Sequence, residues 1–227
     1  MPTAEIARVL FAIVAGYLLG GIPFGIIVPR LIGGPDPRTI GSGRTGGANV
    51  SRAVGFRWAL VSGLLDVAKA SVAVLIVVAL GGGPVPQVAA ALAAIVGHSR
   101  SPYIGFHGGR GVAPATGGAI VLAPIILAAI FPVFALSILV TRISSIGSLS
   151  ASLIGGVAMV VVAVAWSMPP VYFVYGVGVP GLIWLFHVDN IQRLLAGQER
   201  RIGPRSHGSA GRPAGSNAPG STGGSNG

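Results

Sequence analysis

Residues 111–141 read GVAPATGGAIVLAPIILAAIFPVFALSILVT, without one Asp, Glu, Lys or Arg. A helix needs roughly 20 apolar residues to cross a bilayer. As a single helix this stretch would run about 46 Å, long even with tilt. As two helices broken at Pro124 or Pro132, each piece is short. Residues 143–188 are equally free of charge, and only Asp66 and Lys69 interrupt the run between Arg57 and Arg100. With 52% hydrophobic and 9% charged residues, against about 25% charged in a soluble domain, the chain is too poor in charge to cover a water-soluble globule. The fold class is an all-α, polytopic integral membrane protein.

Breakers divide the remaining tracts. A first helix is expected over 6–29, with Gly20, Gly21, Pro23 and Gly25 crowding its far end, where neighbouring helices can re-satisfy freed backbone. The apolar run 6–28 is too long for a signal-peptide core and reads as a retained helix. Residues 58–97 hold two helices broken at Gly81-Gly82-Gly83-Pro84, and 143–186 hold two more split near Met168-Pro169-Pro170. Trp166 and Trp184 stand near helix ends, where headgroups favour aromatic rings.

Charge placement resolves the opening stretch. The net charge is +10, and all but Lys69 of the 15 cations are arginine. If 111–141 is a hairpin, there are seven transmembrane helices. Arg30 to Arg57, Arg100, Arg110, Arg142 and the arginines from 193 onward then share one side, with Arg8 alone across. The positive-inside rule selects this arrangement, N-terminus out and C-terminus cytoplasmic. Residues 1–202 form the membrane domain, and the Gly/Ser/Pro-rich 203–227 reads as a disordered cytoplasmic tail. Cationic loops set between apolar runs speak for topology rather than nucleic acid, and no nucleic-acid partner is expected. The chain has no cysteine, which excludes disulfides and thiolate chemistry, and its acids and histidines are too few for a metal cage.

Gly41-Ser42-Gly43-Arg44-Thr45-Gly46 fits G-x-G-x-x-G, with Asp66 about twenty residues on, but no βαβ unit surrounds it and the dinucleotide reading fails. Its physical content survives: glycines admit an anion to the backbone N–H groups, and Arg38, Arg44, Arg52 and Arg57 supply guanidinium groups suited to phosphate. The alternative is an arginine loop that only enforces topology or meets lipid headgroups. His107-Gly108-Gly109-Arg110-Gly111 is a second anion-binding candidate, opening a helix whose N-terminal N–H groups are free. Ser42 and His98 could pair as nucleophile and base, or His98 could be a satisfied interfacial histidine. Asp66 and Lys69 share a helix face and are either functional intramembrane charges or a mutual ion pair. His187, Asn190, Arg193 and Glu199 form a polar group beyond the last helix.

These segments resemble the bacterial acyl-phosphate:glycerol-3-phosphate acyltransferases, seven-helix membrane enzymes without cofactor. The resemblance rests on Gly21-Ile22-Pro23-Phe24-Gly25, Asp36-Pro37-Arg38 before Gly41-Ser42-Gly43, Asn49-Val50 before Arg52, and Asp66 before Lys69. It continues through Gly97-His98, Gly108-Gly109-Arg110-Gly111-Val112-Ala113, Thr141-Arg142 before Ser145 and Ser148, and Asn190-Ile191 with Arg193-Leu194, Gly197 and Glu199. It runs in order from about residue 6 to 202. The family's first motif reads roughly G-S-G-N-x-G-A-T-N-V-x-R; here Arg44, Gly47 and Ala48 replace Asn, Ala and Thr. In the later G-G-K-G-V-A-T motif, Arg110 replaces Lys and Pro114 replaces Thr. Ala70 stands where Asp-x-x-Lys-Gly ends in Gly.

The resemblance implies transfer of a fatty acyl group from acyl phosphate to the sn-1 hydroxyl of glycerol-3-phosphate, giving lysophosphatidic acid and phosphate. No cofactor and no metal are implied, because a mixed anhydride already carries a good leaving group. The task is then to position two phosphates and stabilise an oxyanion. In that reading Gly41, Ser42, Gly43, Asn49 and Arg52 cradle one phosphate, and Arg110 with Gly108 and Gly109 holds the other. Ser148, His187 and Asn190 complete the glycerol-phosphate pocket, and Lys69, Arg142 and Ser145 join the substrate-binding set. His98 is offered as general base, with a substrate phosphate as the alternative proton acceptor. The acyl tail is expected to enter sideways from the membrane lipid. The implied setting is the bacterial cytoplasmic membrane with the site on its cytoplasmic face; the oligomeric state is open. Rival readings are a transporter or scramblase of phosphorylated anions, and a catalytically silent paralogue.

Overall fold

The computed structural model describes residues 3–202, and no strand occurs among them. Pro23 interrupts the first apolar run, separating α1 (Thr3–Gly21) from α2 (Phe24–Leu31). The Ile26 amide pairs with the Pro23 carbonyl at 2.8 Å rather than continuing the helix back to Ile22. The polar loop contains a one-turn helix (Pro37–Thr39) and α3 (Gly47–Val54). Next come α4 (Phe56–Ala79) and α5 (Pro84–Ser99), parted by the Gly81 turn, with Pro84 at the start of α5 where its missing N–H costs nothing.

Residues 111–141 contain two helices, α6 (Val112–Leu122) and α7 (Leu127–Thr141). The break falls at Ala123 and a one-turn helix begins at Pro124, while Pro132 is carried inside α7. α8 (Ser144–Ala165) and α9 (Val171–Phe186) follow, split around Ser167 to Pro170. The short α10 (Val188–Leu195) turns away from α9 by 65°.

Small residues let the helices approach. A Cβ on Gly16 or Gly20 of α1 would strike the carbonyls of Ala90 or Ala94 on α5, and one on Gly97 would strike that of Tyr17. Such close seams drive helix association where lipid removes the hydrophobic gain. The interior is apolar around Val74, Val88, Ile95, Met159, Tyr175 and Ile183. The outside is apolar too: α7 buries no residue, and its Leu139 is 76% exposed. Four helical segments, Thr3–Leu31, Phe56–Ala79, Pro124–Thr141 and Ser144–Ala165, are long and apolar enough to cross a membrane, and the bent α9–α10 pair also qualifies. An apolar exterior on an apolar core is the signature of a protein solvated by lipid. The expected tail, 203–227, lies outside the described residues.

Candidate active site

Three polar groups gather where α1, α5, α7 and α9 end. The first is the Gly41–Arg52 loop. Asn49 is buried and ties it together, donating from Nδ2 to Ser42 Oγ at 3.0 Å and to the Arg44 carbonyl at 2.9 Å. Arg52 donates to Asn49 Oδ1 at 2.7 Å. Gly41 sits at φ +63, and a Cβ there would lie 2.6 Å from Asn49 Oδ1, so glycine is required by backbone and by space. Because Ser42 Oγ accepts from Asn49, its O–H remains available to donate. The amides are less free than expected: Gly43 closes a turn on the Ile40 carbonyl at 3.3 Å, and Ser42 N–H faces Asn49 Oδ1 at 3.4 Å. Of the expected cradle, the side chains of Ser42, Asn49 and Arg52 come together. Arg38 is not part of it, being paired with Asp36 at 2.7 Å, and Arg57 lies over the Trp58 ring.

The second group centres on Arg110. Its Nη2 donates to Asp189 Oδ2 at 2.8 Å, which joins the His107–Gly111 loop to α10. Arg193 also reaches Asp189, at 3.4 Å, and pairs with Glu199 at 2.8 Å. Asn190 donates to the other Glu199 oxygen at 2.8 Å. Burial alone would raise the Asp189 carboxyl, but Arg110, Arg44 and Arg193 together hold it below the usual range. Burial lowers the Arg110 guanidinium despite Asp189 opposing it. Three guanidinium groups, of Arg44, Arg110 and Arg193, thus stand against two carboxylates, Asp189 and Glu199. Beside them Arg44 Nη1, Arg110 Nε, Asn190 Oδ1 and Ser145 Oγ are buried without hydrogen-bond partners among the described residues. Unmade hydrogen bonds at buried polar atoms are costly.

His187, at the α9–α10 corner, is 2% exposed, and its Nδ1 donates to the Ile183 carbonyl at 2.8 Å. Burial pushes this imidazole down to about 4. It is therefore neutral, with Nε2 as an acceptor. Ser148 is buried but donates to Ser144 of its own helix at 3.0 Å. Arg142 contributes its backbone: at φ +58 its carbonyl accepts from Ile202 at 2.6 Å, while its side chain is exposed.

The third group is the buried trio Asp66, Lys69 and His98. Lys69 Nζ lies 2.7 Å from Asp66 Oδ1, 2.6 Å from the Ile22 carbonyl and 3.1 Å from His98 Nδ1. These contacts make Lys69 a strut across the α1–α2 break. His98 does not meet Ser42, and with Nδ1 facing an ammonium it is poorly placed as a general base. The Gly108 and Gly109 amides are corrected as well. They donate to the Ser99 and His98 carbonyls at 3.2 and 3.1 Å, pinning the loop to α5 instead of presenting free donors. Since Asp66 and Lys69 neutralise each other, the transporter reading loses its intramembrane support.

Asp189 was not anticipated as a site residue, and Arg44 was expected only as a cation of the first loop, not beside Asp189. The signal was there for Asp189: with five acids in the whole chain, one acid set among arginines must serve as their counter-ion. An apolar groove of about 550 Å³ runs between α8 and α9, lined by Gly156, Val160, Gly176, Pro180 and Trp184 among others. Among the described residues no group of three or more His, Asp or Glu is arranged to hold a metal.

The family profile described as glycerol-3-phosphate acyltransferase matches residues 10–197. The chain belongs to that family. A glycerol-3-phosphate acyltransferase of Synechococcus sp. (strain JA-3-3Ab) is 43% identical over 196 residues, covering 86% of this chain and 94% of the relative. One from Roseiflexus sp. (strain RS-1) is 39% identical over 204 residues, covering 89% and 98%. The crystal structure of PlsY (YgiH), an integral membrane glycerol 3-phosphate acyltransferase, in its glycerol 3-phosphate form aligns with a TM-score of 0.78 at 32% identity, over 86% of this chain and 96% of that one. Its lysophosphatidic acid form aligns with a TM-score of 0.76.

Proposed function

We propose that this chain transfers a fatty acyl group from acyl phosphate to the sn-1 hydroxyl of glycerol-3-phosphate, at the cytoplasmic face of the bacterial cytoplasmic membrane. The observation that carries the reading is the meeting of Arg44, Arg110 and Arg193 at Asp189, with unpartnered buried donors on Arg44 and Arg110 beside them. An excess of guanidinium charge at a half-buried place favours a phosphate. Arg110 receives the glycerol-3-phosphate anion, with Asn190, His187 and Ser148 around the glycerol. The Ser42 hydroxyl, Asn49 and Arg52 receive the second phosphate. The sn-1 oxygen bonds to the acyl carbon, the bond from that carbon to the phosphate oxygen breaks, and phosphate leaves. The hydroxyl proton passes to a substrate phosphate, whose second pKa is about 6. The acyl chain lies in the α8–α9 groove.

The membrane arrangement belongs to the same proposal: α1, α4, α5, α6, α7, α8 and α9 make seven crossings, with the N-terminus out. The shorter α5, α6 and α9 pack among the long spans. The test is direct. Purified protein given palmitoyl phosphate and glycerol-3-phosphate should release phosphate and lysophosphatidic acid in equal amounts, and palmitoyl-CoA should not replace the acyl phosphate. Turnover with palmitoyl-CoA alone would overturn the donor assignment.

A further inference from the structure

The buried trio fixes which ring nitrogen of His98 carries its proton. An ammonium has three donors and no acceptor. Lys69 Nζ, at 3.1 Å, is nearer to His98 Nδ1 than Asp66 Oδ1 is at 3.5 Å, which favours a lone pair on that nitrogen. The opposite arrangement would aim an Nδ1–H at Asp66 Oδ1, 3.5 Å away, and press it against the ammonium. A ring that accepts at Nδ1 holds its hydrogen on Nε2. That atom lies against Gly109: a Cβ on Gly109 would collide with it, and no described residue accepts from it. The ring plugs the side of the Gly108–Arg110 loop whose amides are already bound to α5. His98 Nε2–H thus supplies the loop with a donor that its backbone does not.

We propose that His98 donates a hydrogen bond through Nε2 to an anionic oxygen of the substrates, and that Lys69 and Asp66 are positioning residues that hold this tautomer. The inference rests on the site reading above and deepens it. Two oxygens share the required chemistry, one on a substrate phosphate and one on the acyl carbon as the tetrahedral intermediate forms. Lys69 serves two purposes at once: its link to the Ile22 carbonyl anchors it at the α1–α2 break, and from there it sets the ring. Without it Asp66 is the remaining partner for Nδ1, the hydrogen moves to that nitrogen, and Nε2 becomes an acceptor turned toward an anion. Losing Lys69 should therefore reverse the polarity of His98 without touching the ring.

The tautomer is read without turnover, by ¹⁵N NMR of the full-length protein in detergent, with the His98 signals assigned by their loss in His98→Gln. Wild type is expected to show protonated Nε2, and Lys69→Met protonated Nδ1. Kinetics with palmitoyl phosphate and glycerol-3-phosphate give the second readout. Glutamine can place an amide N–H near the Nε2 position but cannot take up a proton. His98→Gln should therefore stay within about tenfold of wild type, while His98→Ala loses about a hundredfold or more, as when an oxyanion donor is removed. A fall confined to kcat assigns the hydrogen bond to the acyl oxygen, and a rise in KM for one substrate assigns it to that substrate's phosphate. Protonated Nδ1 in wild type, or a folded His98→Gln as inactive as His98→Ala, would overturn the proposal. Failure of palmitoyl phosphate as donor would instead count against the donor assignment, because the NMR result is independent of it.

Discussion

Arg52 and Arg110 are the cations whose surroundings differ most in kind. Arg52 is held at 2.7 Å by the amide oxygen of Asn49, itself locked to Ser42 and the Arg44 carbonyl, so its guanidinium arrives pre-positioned. Arg52→Ala should lower acyltransferase turnover by at least about a hundredfold, since a hydrogen bond to a charged group contributes about 1.5–3 kcal/mol and the cradle loses its cation as well. The thermal unfolding midpoint should stay near wild type. Unchanged turnover would remove Arg52 from the phosphate cradle. Arg110 is tethered instead to a carboxylate, Asp189 at 2.8 Å. A lysine can replace that ion pair as a point charge but lacks the planar fork. Arg110→Lys should therefore keep activity within about tenfold; complete loss would show that the site depends on guanidinium geometry. Arg44 raises the stakes at this point, because its unpartnered Nη1 faces the same cluster where the family motif has asparagine.

At the scale of the helices, the α1–α5 seam decides where the catalytic end is held. Gly16 and Gly20 bring α1 backbone against Ala90 and Ala94, and the same α5 carries His98 in its last turn and pins the Arg110 loop. Gly20→Val should destabilise the protein by about 1–3 kcal/mol through overpacking, read as a lower unfolding midpoint in detergent. Gly63 in α4 has nothing within 4 Å of a Cβ. Gly63→Ala should leave the midpoint unchanged or raise stability by up to about 1 kcal/mol, because alanine gives up less backbone entropy in a helix. Equal effects of the two substitutions would mean that the seam is not under packing constraint. The helix boundaries were largely legible from Gly81 to Pro84, Pro124 and Met168 to Pro170, where missing donors or positive φ force an end. The single helix expected over 6–29 is instead split at Pro23, which cannot donate to continue it. Pro132 shows the limit: it lies inside α7, where the same residue type permitted either outcome.

For the whole molecule, the native absence of cysteine makes topology measurable. Gly83→Cys, in the turn before α5, and Gln198→Cys, after α10, should fall on opposite sides of the membrane. An impermeant thiol reagent should label Gly83→Cys in intact cells, and Gln198→Cys only after the membrane is opened. Labelling of both from one side would exclude the seven-crossing arrangement.

Sequence by itself determined the solvent of this protein. Charge is so scarce that its few positions report the bilayer, and the ordered motifs carry the family. Those properties are local, because each apolar run must find lipid or another helix wherever it folds. The tertiary structure alone decided which polar groups are occupied. Asp189 meets Arg110 across 79 positions of chain, and Lys69 reaches Ile22 and His98 on other elements. Hydrogen bonding depends on distances of a few ångströms between segments that sequence leaves far apart. For that reason the Gly108 and Gly109 amides, expected as anion donors, proved to be bound to α5, and the orientation of His98 could be read only once its neighbours were in place.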